Sequence, residues 1–332
     1  MRGLFKAMIL ATAASVWGAA AQGSDGADPA VAGYPNRPIK LIVGYVAGGI
    51  PDGLARALGD VLGKRLGQPI IVENRPGAGG TISAAMVAKA PPDGYTLTLA
   101  GTGQTGIAPY LFKAPGYDPI KSFVQVGMVA NTPMYIVCNP KQRADLCTVE
   151  ALVRKAKEQP GRLTYGSSGV GSGHHIAMEV FQAELGIKLS HVPYKGSGQA
   201  LTPILAGEVD TLITSLPPIV GHLKTGQIKI LAITTRNRSP LVPDAEPLAK
   251  WIPGYDYPAE NGLLAPAGTP RPIVEKLARA LKESLASPEL VERFRQLDSE
   301  VDAATGPEYR ARLLENLKKY ERAAKLADLT PN

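Results

Sequence analysis

Ser, Gly and His crowd into YGSSGVGSGHH at residues 165–175. A serine near a histidine invites a nucleophilic reading, since that pair is the heart of many hydrolase sites. A nucleophile elbow requires Gly-x-Ser-x-Gly. Ser168 has Gly166 before it but Val170 after it, so the elbow fails. His174 and His175 are adjacent and diverge by about 100° on a helix, so they cannot chelate one metal as an i, i+4 pair would. What remains is anion binding. A glycine- and hydroxyl-rich turn that opens a helix offers free N–H groups and the positive end of the helix dipole, without needing Arg or Lys.

GYVAGGIPDG (44–53) repeats that physics nearer the start of the chain. Gly48 and Gly49 permit close backbone approach. Asp52, in the first helical turn, either caps N–H groups or accepts from a ligand hydroxyl, amide or water. GTGQTG (101–106) follows a strand and matches the dinucleotide fingerprint. That fingerprint must open a helix and be followed about 20 residues later by an acid. Pro109 arrives too early, and Asp118 sits in the turn-like GYDP. The stretch reads instead as a strand-end loop that brings N–H groups to a cleft. His191 and His222 have no acid placed by spacing and read as structural or surface residues. No cofactor and no metal site is expected.

The elements that must position these turns alternate. IKLIVGYV (39–46), PIIVEN, GYTLTLAG (94–101), SFVQVGMVA, MYIVC, RLTYGS, LSHVPY, DTLIT and IKILAITT are strand-like. Between them lie helical patterns, among them one with Leu54, Leu58, Val61, Leu62 and Leu66 at helical spacing and Gly67 as its stop. The final third reads as helical, with start signals at Thr269-Pro270, Ser287-Pro288, and Thr305 with Glu308. Alternation predicts parallel sheets covered on both faces, with ligands at the carboxyl ends of the strands. Gly-rich turns in both halves predict two similar α/β lobes facing each other across a cleft.

Composition narrows the function classes. The chain of 332 residues is 45% hydrophobic and 20% charged, which excludes a disordered chain. A length beyond about 250–300 residues favours two domains. MRGLFKAMILATAASVWGAAAQ has a basic start, an apolar run and small residues at Ala19 and Ala21. It reads as a signal peptide over 1–21, followed by a leader over 22–33. Removing Arg2 and Lys6 with it leaves 34 basic and 29 acidic residues, a net charge of +5. No basic tract with interleaved aromatics supports nucleic-acid binding. The mature protein is expected in the periplasm, as a monomer with no membrane insertion.

Export gives the two cysteines a meaning. Cys138 ends a strand-like run and Cys147 precedes a helix start. An oxidising compartment favours their pairing, which would close a short loop and stabilise by about 2–3 kcal/mol in the chain-entropy model.

Several stretches then follow in order: YPNRPIKLIVGYVAGGIPDGLAR, IVENRPGAGGTISAAMVAKAPPDGYTL, YGSSGVGSGHH, HVPYKGSGQAL, LAGEVD, LAITT and APAGTP. Together they resemble the Bug receptors, the solute-binding proteins of the tripartite tricarboxylate transporter (TctC-like) family. The resemblance covers nearly the whole mature chain. It implies a type II periplasmic binding protein: two doubly wound α/β lobes joined by crossing strands around a ligand cleft. Lobe 1 would hold 34–132 and 255–332, and lobe 2 would hold 133–254, with crossings near Thr132–Tyr135 and Tyr255–Gly262.

The resemblance also implies function. A receptor of this kind captures a small organic carboxylate and hands it to membrane transporter subunits; it is not an enzyme. A receptor for a membrane sensor kinase and, more weakly, a secreted hydrolase are the alternatives. The implied first-lobe contacts are Tyr45, Ala47, Gly48, Gly49 and Asp52, with Ala47 standing where the family has Pro and Tyr45 where Phe is usual. Thr102, Gln104 and Thr105 form the second loop of that lobe. Ser167, Ser168, Gly169, Gly171, Ser172 and His175 form the second-lobe loop. Thr214, followed by Ser215, stands where the family often has Asp, which argues against a ligand ammonium group. Lys195, in HVPYKG, is expected to be structural.

Overall fold

The computed structural model describes residues 33–326. The signal peptide expected at 1–21 and the leader up to residue 32 lie outside the described residues. Eleven strands form two sheets among the described residues. The first sheet contains β1 (Ile39–Val43), β2 (Ile70–Asn74), β3 (Thr96–Gly101), β4 (Phe123–Thr132), β10 (Ala259–Pro266) and β11 (Glu300–Val301), in the order β11-β4-β10-β3-β1-β2. The second contains β5 (Tyr135–Cys138), β6 (Thr164–Ser167), β7 (Ser190–Pro193), β8 (Thr211–Thr214) and β9 (Lys229–Ile233), in the order β7-β6-β8-β5-β9.

The helices are α1 (Ile50–Leu66), α2 (Thr81–Ala88), α3 (Ala108–Leu111), α4 (Pro140–Arg143), α5 (Val149–Glu158), α6 (Gly173–Leu185), α7 (Leu201–Ala206), α8 (Val220–Lys224), α9 (Arg271–Leu285), α10 (Pro288–Gln296) and α11 (Gly306–Leu326). The apolar stripe of α1 is buried as its spacing predicts. Burying each such Leu contributes roughly 1.5–3 kcal/mol. Gly67 ends α1 in the left-handed region, at φ 72°. Leu54, Leu58, Leu62, Ile273, Leu277 and Leu281 share one core with the apolar side chains of β1 and β3. Glu308 accepts from the Thr305 backbone N–H and hydroxyl at the start of α11.

Two expectations need correction. The sheets are mixed. β1 pairs in parallel with β2 and β3, but β10 is antiparallel to both β3 and β4, and β5 is antiparallel to β8 and β9. Nor is the final third only helical, because β10 lies inside the first sheet and β11 lies at its edge. The reversal follows from the path of the chain. β4 leads almost directly into β5, and the return from β9 enters the first sheet as β10 from the cleft side. Gly262 of β10 leaves room for the ring of Tyr309 from α11.

The lobes are also tied away from the crossings. Ile107, Leu111, Tyr320 and Ala323 pack in the same core cluster as Met134, Ile176 and Tyr255. Tyr135 and Ser239 both donate to the carboxylate of Asp298, which follows α10. Cys138 and Cys147 form a disulfide with Cα atoms 5.6 Å apart, tying the end of β5 to the start of α5.

Candidate ligand-binding cleft

A cleft of about 540 Å³ lies between the lobes, walled by the turns that follow β1, β2, β3, β6 and β7 and by the crossing strands. The lobes touch across it. A Cβ placed on Gly79 would stand 2.7 Å from the Gly171 carbonyl oxygen, and one on Gly196 would stand 3.0 Å from Val46. Both contacts join opposite lobes, so the cleft is in a closed form.

On the first lobe, Tyr45 and Gly49 line the cleft together with Val46, Ile50 and Pro51. Burial pushes the Tyr45 hydroxyl up to about 12, so it stays protonated. Ala47 and Gly48 sit exposed at the outer tip of the turn. Asp52 turns back on its own loop. Its Oδ2 accepts from the Gly48 N–H at 2.9 Å and from Arg56 Nε at 3.1 Å. Burial acts to raise its carboxyl, but hydrogen bonds from Arg56, Gly48 and Asn74 outweigh that and hold it below the ordinary range. This acid caps its own turn and does not line the cleft.

Thr102 lines the cleft, and its Oγ1 accepts from the Glu260 N–H at 3.0 Å. Gln104 points inward: its Oε1 accepts from the Gly101 N–H at 2.6 Å and its Nε2 donates to Ser83. Thr105 donates to the Gly101 carbonyl at 3.2 Å. Both are buried and hold the turn. GTGQTG opens a single wide helical turn, Gly103–Ile107, rather than a phosphate-binding helix.

The second lobe is the polar wall. Ser168, Gly169 and Ser172 line the cleft where β6 gives way to α6. Ser172 caps α6 by accepting from the His175 N–H at 3.2 Å, and its hydroxyl donates to the Gly169 carbonyl at 2.7 Å. Gly171 is the point of contact with the first lobe. Ser167 lies behind the wall, with its Oγ 2.7 Å from His191 Nε2. His175 also lies behind the wall, stacked on His191 with ring centroids 4.3 Å apart. Its neighbour His174 is the histidine on the cleft, with Nδ1 2.7 Å from Ser168 Oγ. Burial lowers His174 to about 4, and burial together with His191 lowers His175 to about 3. Both rings are neutral at neutral pH. Among the described residues no acid orients the His174 ring as in a catalytic triad: Ser168 meets its Nδ1, and its Nε2 has no hydrogen-bond partner.

At the end of β8, Ser215 lines the cleft, while Thr214 is fully buried and donates to the Ser215 carbonyl at 3.3 Å. Lys195 is exposed and lines the cleft, although the sequence suggested a structural role. Other wall residues escaped the sequence reading: Pro76–Gly80, Pro193, Tyr194, Gly196, Ser197, Thr132, and Ala259–Asn261. Glycines 77, 79 and 80 follow β2 just as glycines 48 and 49 follow β1, so the same criterion would have found them. The crossing strands carry no comparable signal. Among the described residues there is no cluster of three or more His, Cys, Asp or Glu that could hold a metal, and no helix is long and apolar enough to cross a membrane.

Two α/β lobes around one cleft, with turns of both lobes facing it, define a periplasmic binding protein fold. The chain belongs to the tripartite tricarboxylate transporter family receptors (TctC), whose family model matches residues 54–328. The periplasmic binding protein BugD is 32% identical, with a TM-score of 0.82 over 90% of this chain and 100% of that one. Rpa4515 of R. palustris, solved with adipate, is 31% identical, with a TM-score of 0.83 over 90% of this chain and 100% of that one. MatC from Rhodopseudomonas palustris, solved with bound malate, is 30% identical, with a TM-score of 0.80 over 88% of this chain and 100% of that one.

Proposed function

We propose that this protein is a periplasmic receptor that captures a small organic carboxylate in the interlobe cleft and delivers it to a tripartite tricarboxylate-type membrane transporter. The observation that carries the reading is the second-lobe wall. Ser168, Gly169 and Ser172 stand at the positive end of a 13-residue helix, with no acid in its first turn. Such an end favours an anion. Neutral His174 beside Ser168 adds a polar ring without adding charge. The carboxylates adipate and malate in two structural neighbours support the same ligand chemistry.

A thermal-shift screen of the purified protein against organic acids tests capture. A ligand at 100 times its Kd stabilises by about 2.7 kcal/mol, which moves Tm by several degrees. A flat response to every carboxylate, at concentrations up to tens of millimolar, would remove the reading. Delivery is tested by uptake of the identified acid, which should require both this protein and the membrane subunits.

A further inference from the structure

The charge and polarity of the cleft walls narrow the ligand class, given the carboxylate reading above. Among the described residues on the wall, Lys195 and Glu260 are the only acidic or Lys/Arg side chains. The Glu260 carboxylate accepts from Asn316 behind the wall, and burial, with Asp302 adding to it, raises its carboxyl despite Arg312 and Lys319 nearby, so it offers a ligand no positive partner. Lys195 is the one remaining cation. Its segment lies beside the polar turn, because a Cβ on Gly169 would stand 3.0 Å from the Tyr194 carbonyl oxygen.

The first-lobe wall offers little to a second anion. The N-terminus of α1 carries a negative charge in its own first turn, Asp52, which also takes the Gly48 N–H of the preceding turn. Pro51 has no N–H to give. The Gly80 N–H is used by the Gly77 carbonyl at 2.9 Å. What this wall presents instead is Tyr45, Val46 and Ile50, while Tyr194 lines the cleft from the second lobe. The closed cleft still encloses about 540 Å³, within the range of sites that take drug-sized ligands. A dianion there would leave one desolvated charge without a partner, which is costly.

We propose that the cleft selects a bulky monocarboxylic acid. Its carboxylate is held at the turn around Ser168 and balanced by Lys195, and its aromatic or branched aliphatic body lies against Tyr45, Val46, Ile50 and Tyr194. This preference differs from the dicarboxylates adipate and malate of the two neighbours.

Isothermal titration calorimetry tests it on the purified protein. The monoacids are phenylacetate, 4-methylbenzoate and cyclohexanecarboxylate; the comparison acids are malate, adipate and citrate. At least one monoacid should bind ten times more tightly than any comparison acid. Its uncharged primary amide should lose at least tenfold. Lys195→Met, at an exposed position, should weaken the monoacid about tenfold while leaving Tm unchanged. Tighter binding of malate, adipate or citrate than of every monoacid would overturn the proposal and leave the carboxylate reading standing. Unchanged monoacid affinity in Lys195→Met would overturn the proposed charge balance. Binding of no acid at all would remove both readings.

Discussion

Gly79 and Gly171 meet backbone to backbone across the cleft: a Cβ added to Gly79 would lie 2.7 Å from the Gly171 carbonyl oxygen. Gly103 converges on the same oxygen, where its own Cβ would lie 2.5 Å away. The lobes therefore close through three glycines from three different strand-end turns. Only residues without side chains allow this approach. A ligand that bridges the walls gains affinity to the extent that it favours this closed form over an open one.

Gly79→Ala follows directly. The substitution adds a methyl group at the closing contact and places Ala at φ 61°, which costs about 1 kcal/mol in the left-handed region. Ligand affinity should fall about tenfold or more, because the closed form is penalised and the open form is not. Small-angle scattering of the ligand-saturated protein should give a larger radius of gyration than wild type. Wild-type affinity and compactness in this variant would show that the contact does not govern closure.

Ser168→Ala tests the polar wall. The serine hydroxyl lines the cleft and lies 2.7 Å from His174 Nδ1. Losing this hydroxyl should weaken binding by about 1–2 kcal/mol, read as a change in Kd. His175→Gln should behave differently. That ring is stacked behind the wall on His191, so its loss should lower Tm more than it lowers affinity.

These two histidines show how far the sequence could be read. The glycine, serine and histidine content of 165–175 located a polar, helix-opening turn. Adjacent helix positions point about 100° apart, however, and only tertiary packing decides which of the two meets the cleft. Asp52 is similar. Both capping and ligand contact were open to an acid in a first helical turn, and Arg56, one turn later, draws the carboxylate away from the cleft. The alternation of strands and helices was legible because strand and helix periods differ. The antiparallel placement of β10 was not, since no local pattern records that a strand returning from the other lobe must enter its sheet reversed. Thr132 and Asn261 reach the cleft through that same crossing, so they too lacked a local signal.

The disulfide should matter for stability rather than for recognition. Cys138 and Cys147 are bonded at the outer end of β5, and neither lines the cleft. Reduction under native conditions should lower the unfolding free energy by about 2–3 kcal/mol and leave Kd within twofold. Thiol titration after unfolding in denaturant should find no free thiol until a reductant is added. Two reactive thiols in protein recovered from an oxidising compartment would contradict the pairing.

Acid should destabilise the protein through its buried imidazoles. Burial lowers His174 to about 4 and, with His191 adding to it, lowers His175 to about 3, against an ordinary value of 6.5. In the folded state both rings therefore stay neutral well below pH 6.5, while in the unfolded chain they take up protons. Between about pH 6.5 and pH 4 the unfolded state binds more protons, so stability rises with pH across that window and is lost as pH falls. Above pH 6.5 these groups add no slope. For His174 the full loss is about 3 kcal/mol. Asp298 and Glu179 work in the opposite sense: burial raises their carboxyls, so their protonation favours the folded state as pH falls. The comparison must therefore be between variants. Urea unfolding of wild type and His174→Gln at pH 7.5, 6 and 5 isolates the imidazole. The variant should lose less stability than wild type between pH 7.5 and pH 5, while the carboxyl contributions cancel between the two proteins. Parallel pH profiles would mean that His174 titrates normally in the folded protein, and that the polar wall of the cleft gains a positive charge in mild acid.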